Sequence, residues 1–259
     1  MKVAICGLAV DAVTRAETLS RIEEAVAARR AGRPARPLAV FSANVDMIAK
    51  ASRDPAFAGE LAEADLLLPD GVPLLWMARG LGARLPERVA GSDLVPLLAA
   101  RAARQGFSLF LLGAAPETAR RAAERLRREN PGLLIAGTLS PPVGFEHDAV
   151  ERERVGEAVR AARPDVVLVA LGAPKQERWI LSERERAGAA ALVAVGGTFD
   201  LLAGERRRAP RLVQRLGLEW VWRLAQEPLR LGRRYLWEDV VVVPLYARAA
   251  WRRLWRRER

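Results

Sequence analysis

Six short apolar runs alternate with longer stretches of helical pattern over the first 200 residues. The apolar runs occupy 37–43, 64–69, 108–113, 133–139, 165–172 and 191–197. None of them alternates apolar with polar residues, which is typical of strands buried on both faces of a parallel sheet. The stretches between them, rich in Ala and Arg, occupy 14–30, 44–58, 92–105, 115–129, 148–162 and 174–187. This alternation predicts an α/β fold, a Rossmann-like parallel-sheet domain with helices on both faces.

The distribution of charge divides the chain into two parts. The formal net charge is +11, and residues 206–259, with 15 arginines and five acidic residues, carry +10 of it. Five of the seven tryptophans and both tyrosines lie in the same segment. We therefore predict an α/β domain over 1–205 and a basic, Trp-rich helical appendage over 206–259. The asymmetry indicates an anionic partner, which is a membrane surface, a nucleic acid or a phosphorylated substrate.

Several protein classes are disfavoured by what the sequence lacks. Cys6 is the single cysteine and His147 the single histidine, so an internal disulfide is excluded and a His-rich metal site or a Ser/His/Asp triad is disfavoured. We expect Cys6 to be a buried strand residue and His147 to lie in a loop. Asp11 interrupts the N-terminal apolar run before a signal sequence is complete, and no apolar run approaches the ~20 residues that span a bilayer. These features predict a cytoplasmic protein, peripheral to the membrane at most.

Polar residues and glycines follow five of the predicted strands. They are Ser42 to Asn44, Asp70-Gly71, Gly113, Gly172 to Glu177, and Gly196 to Asp200. Because ligands of open α/β sheets bind outside the carboxyl ends of the strands, we expect these five ends to converge on one crevice.

Three of these strand ends have a chemical interpretation beside a plain structural one. Asp70 at the rim of a cleft can act as a general base, but Asp-Gly is also a common turn dipeptide. The segment from Gly172 either presents helix N–H groups to a phosphate or forms an ordinary strand-to-helix loop. Gly196-Gly197 either allows a ligand to approach closely, with Asp200 accepting hydrogen bonds from a base or a ribose, or likewise forms an ordinary strand-to-helix loop.

Two absent motifs narrow the choice of ligand. No G-x-G-x-x-G follows a predicted strand and no G-x-x-x-x-G-K-[ST] occurs, which disfavours a nucleotide-dependent oxidoreductase and a P-loop protein. No Asp-x-Asp pair occurs either, which removes a common way to hold a nucleotide diphosphate through a divalent metal. Arginines would then have to neutralise the phosphates.

Taken together, the polar blocks resemble the WecG/TagA/CpsF glycosyltransferase family (glycosyltransferase family 26) from about Phe41 to Tyr235. The order of the blocks carries the resemblance. They are Ser42-x-Asn44, Asp70-Gly71, Arg88-x-x-Gly91-x-Asp93, the strand ending at Gly113, Pro131-Gly-Leu133, Gly144-Phe145, Leu171 to Trp179, Gly196 to Gly204, Arg208-Ala-Pro210, and Gly217 to Tyr235.

The resemblance implies an enzyme that transfers a hexose from a UDP-sugar to a polyprenyl-diphosphate-linked sugar, in the synthesis of cell-surface polysaccharide or a teichoic-acid-type polymer. It implies inversion at the anomeric carbon, no metal and no other cofactor, which agrees with the absent Asp-x-Asp. The donor in such a family is often UDP-N-acetylmannosamine or its uronic acid, and other members use other hexoses. A lipid-linked acceptor implies a place on the inner face of the cell membrane.

Site residues follow from the resemblance position by position. Asp70 resembles the general base that takes the proton of the acceptor hydroxyl. Ser42, where the family often has threonine, keeps the hydroxyl, and Asn44 joins it as a polar catalytic group. The residues implied for the donor and its UDP are Arg88, Gly113, Phe145 (stacking on the uracil), Gln176, Gly196, Gly197 and Asp200. Arg223, Arg230 and Arg233 are candidates for the diphosphate of the acceptor and, with Arg88, for the negative charge that builds on the departing UDP.

The last helix of the appendage has two interpretations. At 100° per residue over 245–257, Trp251 and Trp255 share a face with Ala247, Ala250 and Leu254, and the opposite face is formed by Arg248, Arg252, Arg253, Arg256 and Arg257. This pattern is typical of an interfacial amphipathic helix on anionic lipid. The alternative is a helix that packs its Trp face on the domain or on a second copy in a homo-oligomer.

A function other than that of an enzyme also fits the sequence. A basic tail with aromatic residues also fits a nucleic-acid-binding α/β protein. Such a protein is expected to carry a basic groove on its folded body, whereas residues 1–205 are nearly neutral. The charge distribution therefore favours the lipid-linked acceptor over nucleic acid.

Overall fold

Strands and helices alternate along the chain as the apolar runs predict. The computed structural model describes residues 1–210, 212–213, 217–233 and 237–257. The strands are β1 (Lys2–Ile5), β2 (Leu8–Asp11), β3 (Leu38–Ala43), β4 (Leu66–Pro69), β5 (Ser108–Gly113), β6 (Leu134–Leu139), β7 (Val166–Ala170) and β8 (Ala191–Ala194). The helices of 1–205 are α1 (Arg15–Arg30), α2 (Val45–Arg53), α3 (Pro55–Ala62), α4 (Val72–Gly80), α5 (Gly91–Gln105), α6 (Pro116–Glu129), α7 (Ala149–Ala162), α8 (Lys175–Glu183) and α9 (Thr198–Ala203). The segment from 206 adds α10 (Glu219–Gln226), α11 (Pro228–Arg233) and α12 (Val242–Arg257).

The central sheet consists of β3 to β8 in the order β4-β3-β8-β7-β5-β6, and every neighbouring pair is parallel. Helices pack their apolar sides on both of its faces. Adjacent strand residues point to opposite faces, so Phe41 joins one core cluster and Val40 the other. The first core includes α2, α3, α7 and α8, and the second includes α1, α5, α6 and α9. The predicted Rossmann-like α/β fold is confirmed.

The strand order creates a crevice where β3 lies beside β8. Chain connections lead from β3 outward to β4 on one side, and β5, β6 and β7 lie on the other side of β8. The helix that follows β3 packs in one core, and the helix that follows β8 packs in the other. Loops that diverge from neighbouring strands in this way leave an opening above the sheet edge.

One predicted strand departs from the expectation of two buried faces. β6 lies at the edge of the sheet and pairs only with β5 among the described strands. Most of its side chains are partly exposed, and Leu134 is 53% exposed. An apolar run of six residues therefore indicates a strand here but not its place within the sheet.

The first eleven residues form an antiparallel hairpin that the sequence analysis missed. Cys6 and Gly7 make the two-residue turn between β1 and β2, with φ values of 47° and 94°. Positive φ at both positions matches the twist of a tight hairpin. Cys6 is therefore a partly exposed turn residue, and its expected place within a buried strand is wrong. The buried carboxylate of Asp11 accepts a hydrogen bond from the Leu67 amide at 2.9 Å, which joins the hairpin to β4.

Helix α12 packs on residues 1–205, which we call the α/β part of the chain. Val242 is buried in the same core cluster as α2 and α4. The hydroxyl of Tyr246 lies so close to Gly80 that a side chain there would overlap it, and the guanidinium of Arg253 lies against Gly82 in the same way. None of the helices within the described residues is both long and apolar enough to cross a membrane.

Candidate active site

A cavity of about 370 Å³ opens above the carboxyl ends of the central strands. Residues that follow β3, β4, β7 and β8 form its floor and one wall, including Ser42, Asn44, Asp70, Gln176 and Gly196. The opposite wall comes from the segment after 205: Arg206, Arg207, Arg208, Ala209, Glu219, Trp222, Gln226, Glu227 and Leu231. Four of the five predicted strand ends therefore converge, and the appendage covers them.

A second cavity of about 110 Å³ lies beside the first. It opens between the start of α4 and the appendage, against Gly71 to Leu74 on one side and Gly217 and Trp220 on the other. The two cavities share four polar lining residues, which are Asn44, Asp46, Asp70 and Glu219. A carboxylate on this shared wall is able to face ligands on both sides.

The local backbone explains why Asp70 stands at this point. Its amide donates to the Ala43 carbonyl at 2.8 Å, which continues the pairing of β4 with β3 by one residue. Gly71 then adopts a φ of 116° and α4 begins at Val72. Such a φ is readily available only to glycine, so the chain turns sharply and leaves the Asp70 side chain half-buried at the sheet edge.

Asn44 has a structural task as well as a place in the cavity. It is the N-cap of α2, and its Oδ1 accepts the Met47 amide at 3.0 Å. The carbonyl end of the side chain is thus engaged, which leaves the NH₂ end for a ligand. Ser42 lies two residues earlier, at the end of β3, with its side chain partly exposed to the same cavity.

Arg88 lies in the smaller cavity, between carboxylates. Its guanidinium is 2.5 Å from Asp93 and also pairs with Glu219 of α10, and its side chain is 17% exposed. Burial alone would lower the pKa of Arg88, but the charges of Glu219, Asp93 and Asp70 raise it above its usual value. The cation that the sequence analysis expected on the donor diphosphate therefore connects the α/β part to the appendage.

Gln176 and Gly196 are joined beneath the larger cavity. The Gly196 amide donates to Gln176 Oε1 at 3.2 Å, and Gln176 Nε2 donates to Glu177 Oε1 at 2.7 Å. Burial raises the pKa of Glu177 to about 7, against the opposing effects of the Gln176 hydrogen bond and of Lys50. The sequence pattern predicts Gln176 as a site residue but not Glu177, whose only signal is its position within the Leu171 to Trp179 block.

The Gly196-Gly197 turn lies under an ion pair. Arg206 is 3.3 Å from Asp200 and 3.2 Å from Glu227, and a side chain at Gly197 would come within 3.1 Å of the Arg206 guanidinium. Asp200 is half-buried behind the glycines and does not line the cavity directly. Asp200 therefore holds Arg206, which does line the cavity.

Two expected donor residues lie outside both cavities. Gly113 ends β5, and a side chain there would overlap the Ala170 carbonyl of the neighbouring strand, so glycine is needed for packing. Phe145 is 5% exposed and packs in the core with Val155 and Trp179. The ring offers no open face on which a uracil could stack in this conformation.

Polar contacts fasten the appendage over the cavity. Arg208 pairs with Asp93, and the Arg207 carbonyl accepts hydrogen bonds from Trp222 Nε1 at 3.1 Å and Gln226 Nε2 at 3.0 Å. The Arg207 side chain lines the cavity and makes no ion pair with any residue in the described part of the chain. In the sequence, this Arg-rich stretch indicates only the boundary between the two parts of the chain.

Several expectations for the appendage concern side chains outside the described residues. These are Arg223, Arg230 and Arg233, together with Tyr235 of the last sequence block. Trp251 and Trp255 are described: they are 62% and 52% exposed, with ring centroids 5.8 Å apart. Val243 on the same helix is 67% exposed, so α12 presents an apolar side that the rest of the described chain leaves open.

No group of three or more His, Cys, Asp or Glu side chains is arranged to hold a metal ion among the residues that the structure describes. The larger cavity is lined by four cations, four carboxylates, amides and glycine backbone; the charged residues are Lys50, Arg206, Arg207, Arg208, Asp46, Asp70, Glu219 and Glu227. Such a lining is suited to a ligand that carries phosphates and sugar hydroxyls.

Comparisons with known proteins agree with this arrangement. The model of the glycosyl transferase WecG/TagA/CpsF family matches residues 3–258. The chain is 34% identical over 210 residues to an N-acetylglucosaminyldiphosphoundecaprenol N-acetyl-beta-D-mannosaminyltransferase of Bacillus spizizenii, a match that covers 81% of this chain and 77% of the relative. It is 32% identical over 208 residues to the protein of the same name from Bacillus subtilis, covering 80% and 77%. The chain belongs to the WecG/TagA/CpsF family of glycosyltransferases.

Proposed function

We propose that this glycosyltransferase transfers a hexose, N-acetylmannosamine or a related sugar, from a UDP-sugar to a polyprenyl-diphosphate-linked sugar. The observation that carries the proposal is the position of Asp70, on the wall shared by a larger and a smaller cavity at the sheet edge. The names of the two Bacillus relatives describe the transfer of N-acetylmannosamine to such a lipid-linked acceptor. The product would enter cell-surface polysaccharide or teichoic-acid-type synthesis.

The two cavities suggest separate places for donor and acceptor. The UDP-sugar occupies the larger cavity, and the acceptor sugar reaches Asp70 through the smaller one. Asp70 takes the proton of the acceptor hydroxyl while its oxygen attacks the anomeric carbon. The bond from that carbon to UDP breaks, and its electron pair leaves with the diphosphate. Attack from the face opposite UDP inverts the anomeric configuration.

Negative charge that develops on the departing UDP needs a cation nearby. Arg207 is the candidate that the geometry favours, because it lines the larger cavity and has no carboxylate partner among the described residues. Arg88 is engaged by Asp93 and Glu219, so its role is to hold the appendage against the site. The absence of any Asp-x-Asp pair from the sequence supports transfer without a metal.

The remaining cavity residues are assigned to the donor. The Ser42 hydroxyl and the Asn44 and Gln176 amides are hydrogen-bond partners for the sugar and the diphosphate, and the Gly196-Gly197 turn lets the nucleotide approach the backbone closely. Asp200 contributes by holding Arg206 over this turn. Gly113 and Phe145 support the shape of the site from outside the cavities.

We propose that the appendage binds the membrane surface as well as forming one wall of the site. Trp251 and Trp255 would insert at headgroup depth on the inner face of the cell membrane, with the arginines of α12 facing anionic lipid. Their exposure supports this assignment over packing against the α/β part of the same chain. The arginines of α11 and α10, Arg223, Arg230 and Arg233, remain proposed contacts of the acceptor diphosphate.

Product analysis tests the proposal. The protein is incubated in EDTA with UDP-N-acetylmannosamine and a polyprenyl-diphosphate-N-acetylglucosamine analogue, and the product is examined by mass spectrometry and NMR. We expect one added sugar with an inverted anomeric linkage. A retained linkage, or a requirement for added divalent metal, would contradict the proposed chemistry.

A further inference from the structure

The buried carboxyl group of Glu177 has no part in the proposed chemistry. It lies in the first turn of α8, one residue after Gln176, and is fully buried. Its Oε1 accepts the Gln176 amide, but Oε2 is buried with no hydrogen-bond partner within the described part of the chain. Retaining a half-satisfied carboxyl group in the interior is costly, so a role beyond packing is indicated.

The partner of Glu177 explains what that role is. A Gln amide has a donating end and an accepting end, whereas both oxygens of an ionised carboxylate accept and a protonated carboxyl group keeps one accepting oxygen. Glu177 therefore turns the NH₂ of Gln176 inward, and Gln176 Oε1 faces the Gly196 amide at 3.2 Å. With the opposite amide orientation, the NH₂ of Gln176 would face the N–H of Gly196, and the turn would lose its hydrogen bond to Gln176.

The charged groups that face this pair come from α2. Lys50 Nζ is 2.8 Å from Asp46 and also donates to the Ala173 carbonyl at 3.2 Å. Lys50 lowers the pKa of Glu177 and Asp46 raises it, but burial is the dominant effect. The pair is thus enclosed between α2 and α8, directly below the cavity that Asp46, Lys50 and Gln176 all line.

We propose that Glu177 is a positioning residue that fixes the amide orientation of Gln176 and thereby holds the Gly196-Gly197 turn in the shape that receives the donor nucleotide. The inference rests on the proposed function for the identity of that ligand, a UDP-sugar. The hydrogen-bond chain itself runs from Glu177 through Gln176 to Gly196 and involves no ligand.

Two substitutions separate this role from packing. Glu177→Gln retains an oxygen that accepts from Gln176 Nε2, so the turn keeps its shape. Glu177→Leu fills the space but removes the acceptor, so Gln176 is free to rotate and the Gly196 amide loses its partner. We expect the Kd for UDP to change by less than about twofold in the first variant and to rise at least about tenfold in the second, a difference of ~1.4 kcal/mol.

The Gly196 amide can be observed directly by NMR. Labelling with ¹³C′-valine and ¹⁵N-glycine selects Val–Gly pairs, of which the chain has three, at 143–144, 155–156 and 195–196. We expect the Gly196 signal of the wild type to titrate with a midpoint near pH 7, and the titration to be absent in Glu177→Gln. The signal is expected to move away from its wild-type position in Glu177→Leu.

Glu183 supplies a matched control. It is a buried carboxylate on the same helix, beside Arg160 and Arg186 and outside the cavity, so Glu183→Leu should leave the Kd for UDP unchanged. A Glu177→Leu protein that folds, keeps the Gly196 signal and binds UDP normally would overturn the inference. If that variant does not fold, a Gly196 signal that fails to titrate in the wild type, or still titrates in Glu177→Gln, would overturn it. Failure of the wild type to bind UDP contradicts the proposed function alone, because the NMR readout needs no ligand.

Discussion

The two walls of the larger cavity are built in different ways. The wall formed by the strand ends is held by backbone pairing and buried hydrogen bonds, such as the Asp70 amide on the Ala43 carbonyl and the Gly196 amide on Gln176. The appendage wall is held by ion pairs between side chains, of which Arg88 with Glu219 and Arg206 with Asp200 are examples. The position of the first wall, which we call the fixed wall, is set by the fold, whereas the position of the appendage wall depends on charge.

This difference matches the tasks that we assign to the two walls. A general base has to stay in place against the reacting atoms, so it belongs on the fixed wall. A wall held by charge can adjust when a phosphorylated substrate or an anionic membrane supplies new negative groups. We therefore expect the two walls to contribute separately, the first to chemistry and the second to assembly of the site.

The largest effect is expected at Asp70 on the fixed wall. Asp70→Asn removes the proton acceptor without changing the size of the side chain, and general-base catalysis contributes about 10²- to 10⁴-fold. We expect kcat to fall by about 10³-fold, with the Kd for UDP nearly unchanged. Steady-state kinetics and calorimetry measure the two quantities. Asp148→Asn is the matched control, because Asp148 caps α7 outside the cavity and Asn also caps helices; near-normal turnover of Asp70→Asn would remove the base assignment.

The next effect concerns the stability of the fixed wall. Burial raises the pKa of Glu177 from 4.5 to about 7, so this group favours the folded state fully below pH 4.5, and that contribution is lost as the pH rises through 7. Relative to Glu177→Gln, the wild type should lose about 3 kcal/mol of unfolding free energy between pH 4.5 and 8, from 1.36 kcal/mol per pKa unit. Urea unfolding of both proteins across this range checks it. Parallel pH curves for the two proteins would show that the Glu177 carboxyl does not titrate with a raised pKa.

A smaller effect on activity is expected from the ion pairs of the appendage wall. Arg88→Met leaves Asp93 and Glu219 half-buried without this cation, which loosens the appendage. We expect kcat/KM to fall about 10- to 100-fold and protease cleavage after residue 205 to accelerate. Arg121→Met, which breaks an exposed ion pair with Glu117 on α6, should change neither by more than about twofold. Equal behaviour of the two variants would mean that Arg88 does not hold the appendage in place.

The smallest effect on chemistry is expected at the exposed face of α12. Substituting both Trp251 and Trp255 by Ala should weaken binding to vesicles that contain anionic lipid by about tenfold or more. Turnover of a short, water-soluble acceptor should stay within about twofold, since neither ring lines a cavity. Co-sedimentation and steady-state assays measure the two. The exposed residues Val143 and Val150, changed to Ala together, control for loss of apolar surface, and unchanged vesicle binding of the Trp variant would place the membrane contact elsewhere.

The sequence predicts the strands and the polar residues at their ends better than it predicts which strands lie side by side in the sheet. Apolar runs identify β3 to β8 because strands of a parallel sheet are continuous in hydrophobicity, and even the partly exposed edge strand β6 carries such a run. Those runs do not indicate the order of the strands in the sheet. The runs alone therefore predict that Gly113 lies in the crevice, whereas β8 and β7 separate β5 from β3 and the end of β5 misses both cavities.

Two other departures also have physical causes. The hairpin of β1 and β2 uses four-residue strands and a Cys-Gly turn, and Cys is not among the residues that typically indicate such a turn. Phe145 occupies a loop position in the sequence pattern, but its ring is placed in the core by contacts with α7 and α8. Tertiary packing of this kind leaves no local signal.

Acceptor-dependent release of UDP tests the central claim most directly. The wild-type protein is assayed in EDTA with a panel of UDP-hexoses, with and without a polyprenyl-diphosphate-N-acetylglucosamine analogue. We expect release with one donor, UDP-N-acetylmannosamine or a close relative, only when the acceptor is present, and about 10³-fold slower release from Asp70→Asn. Release that is independent of the acceptor, or equal in Asp70→Asn, would contradict a base that stands between a donor cavity and an acceptor cavity.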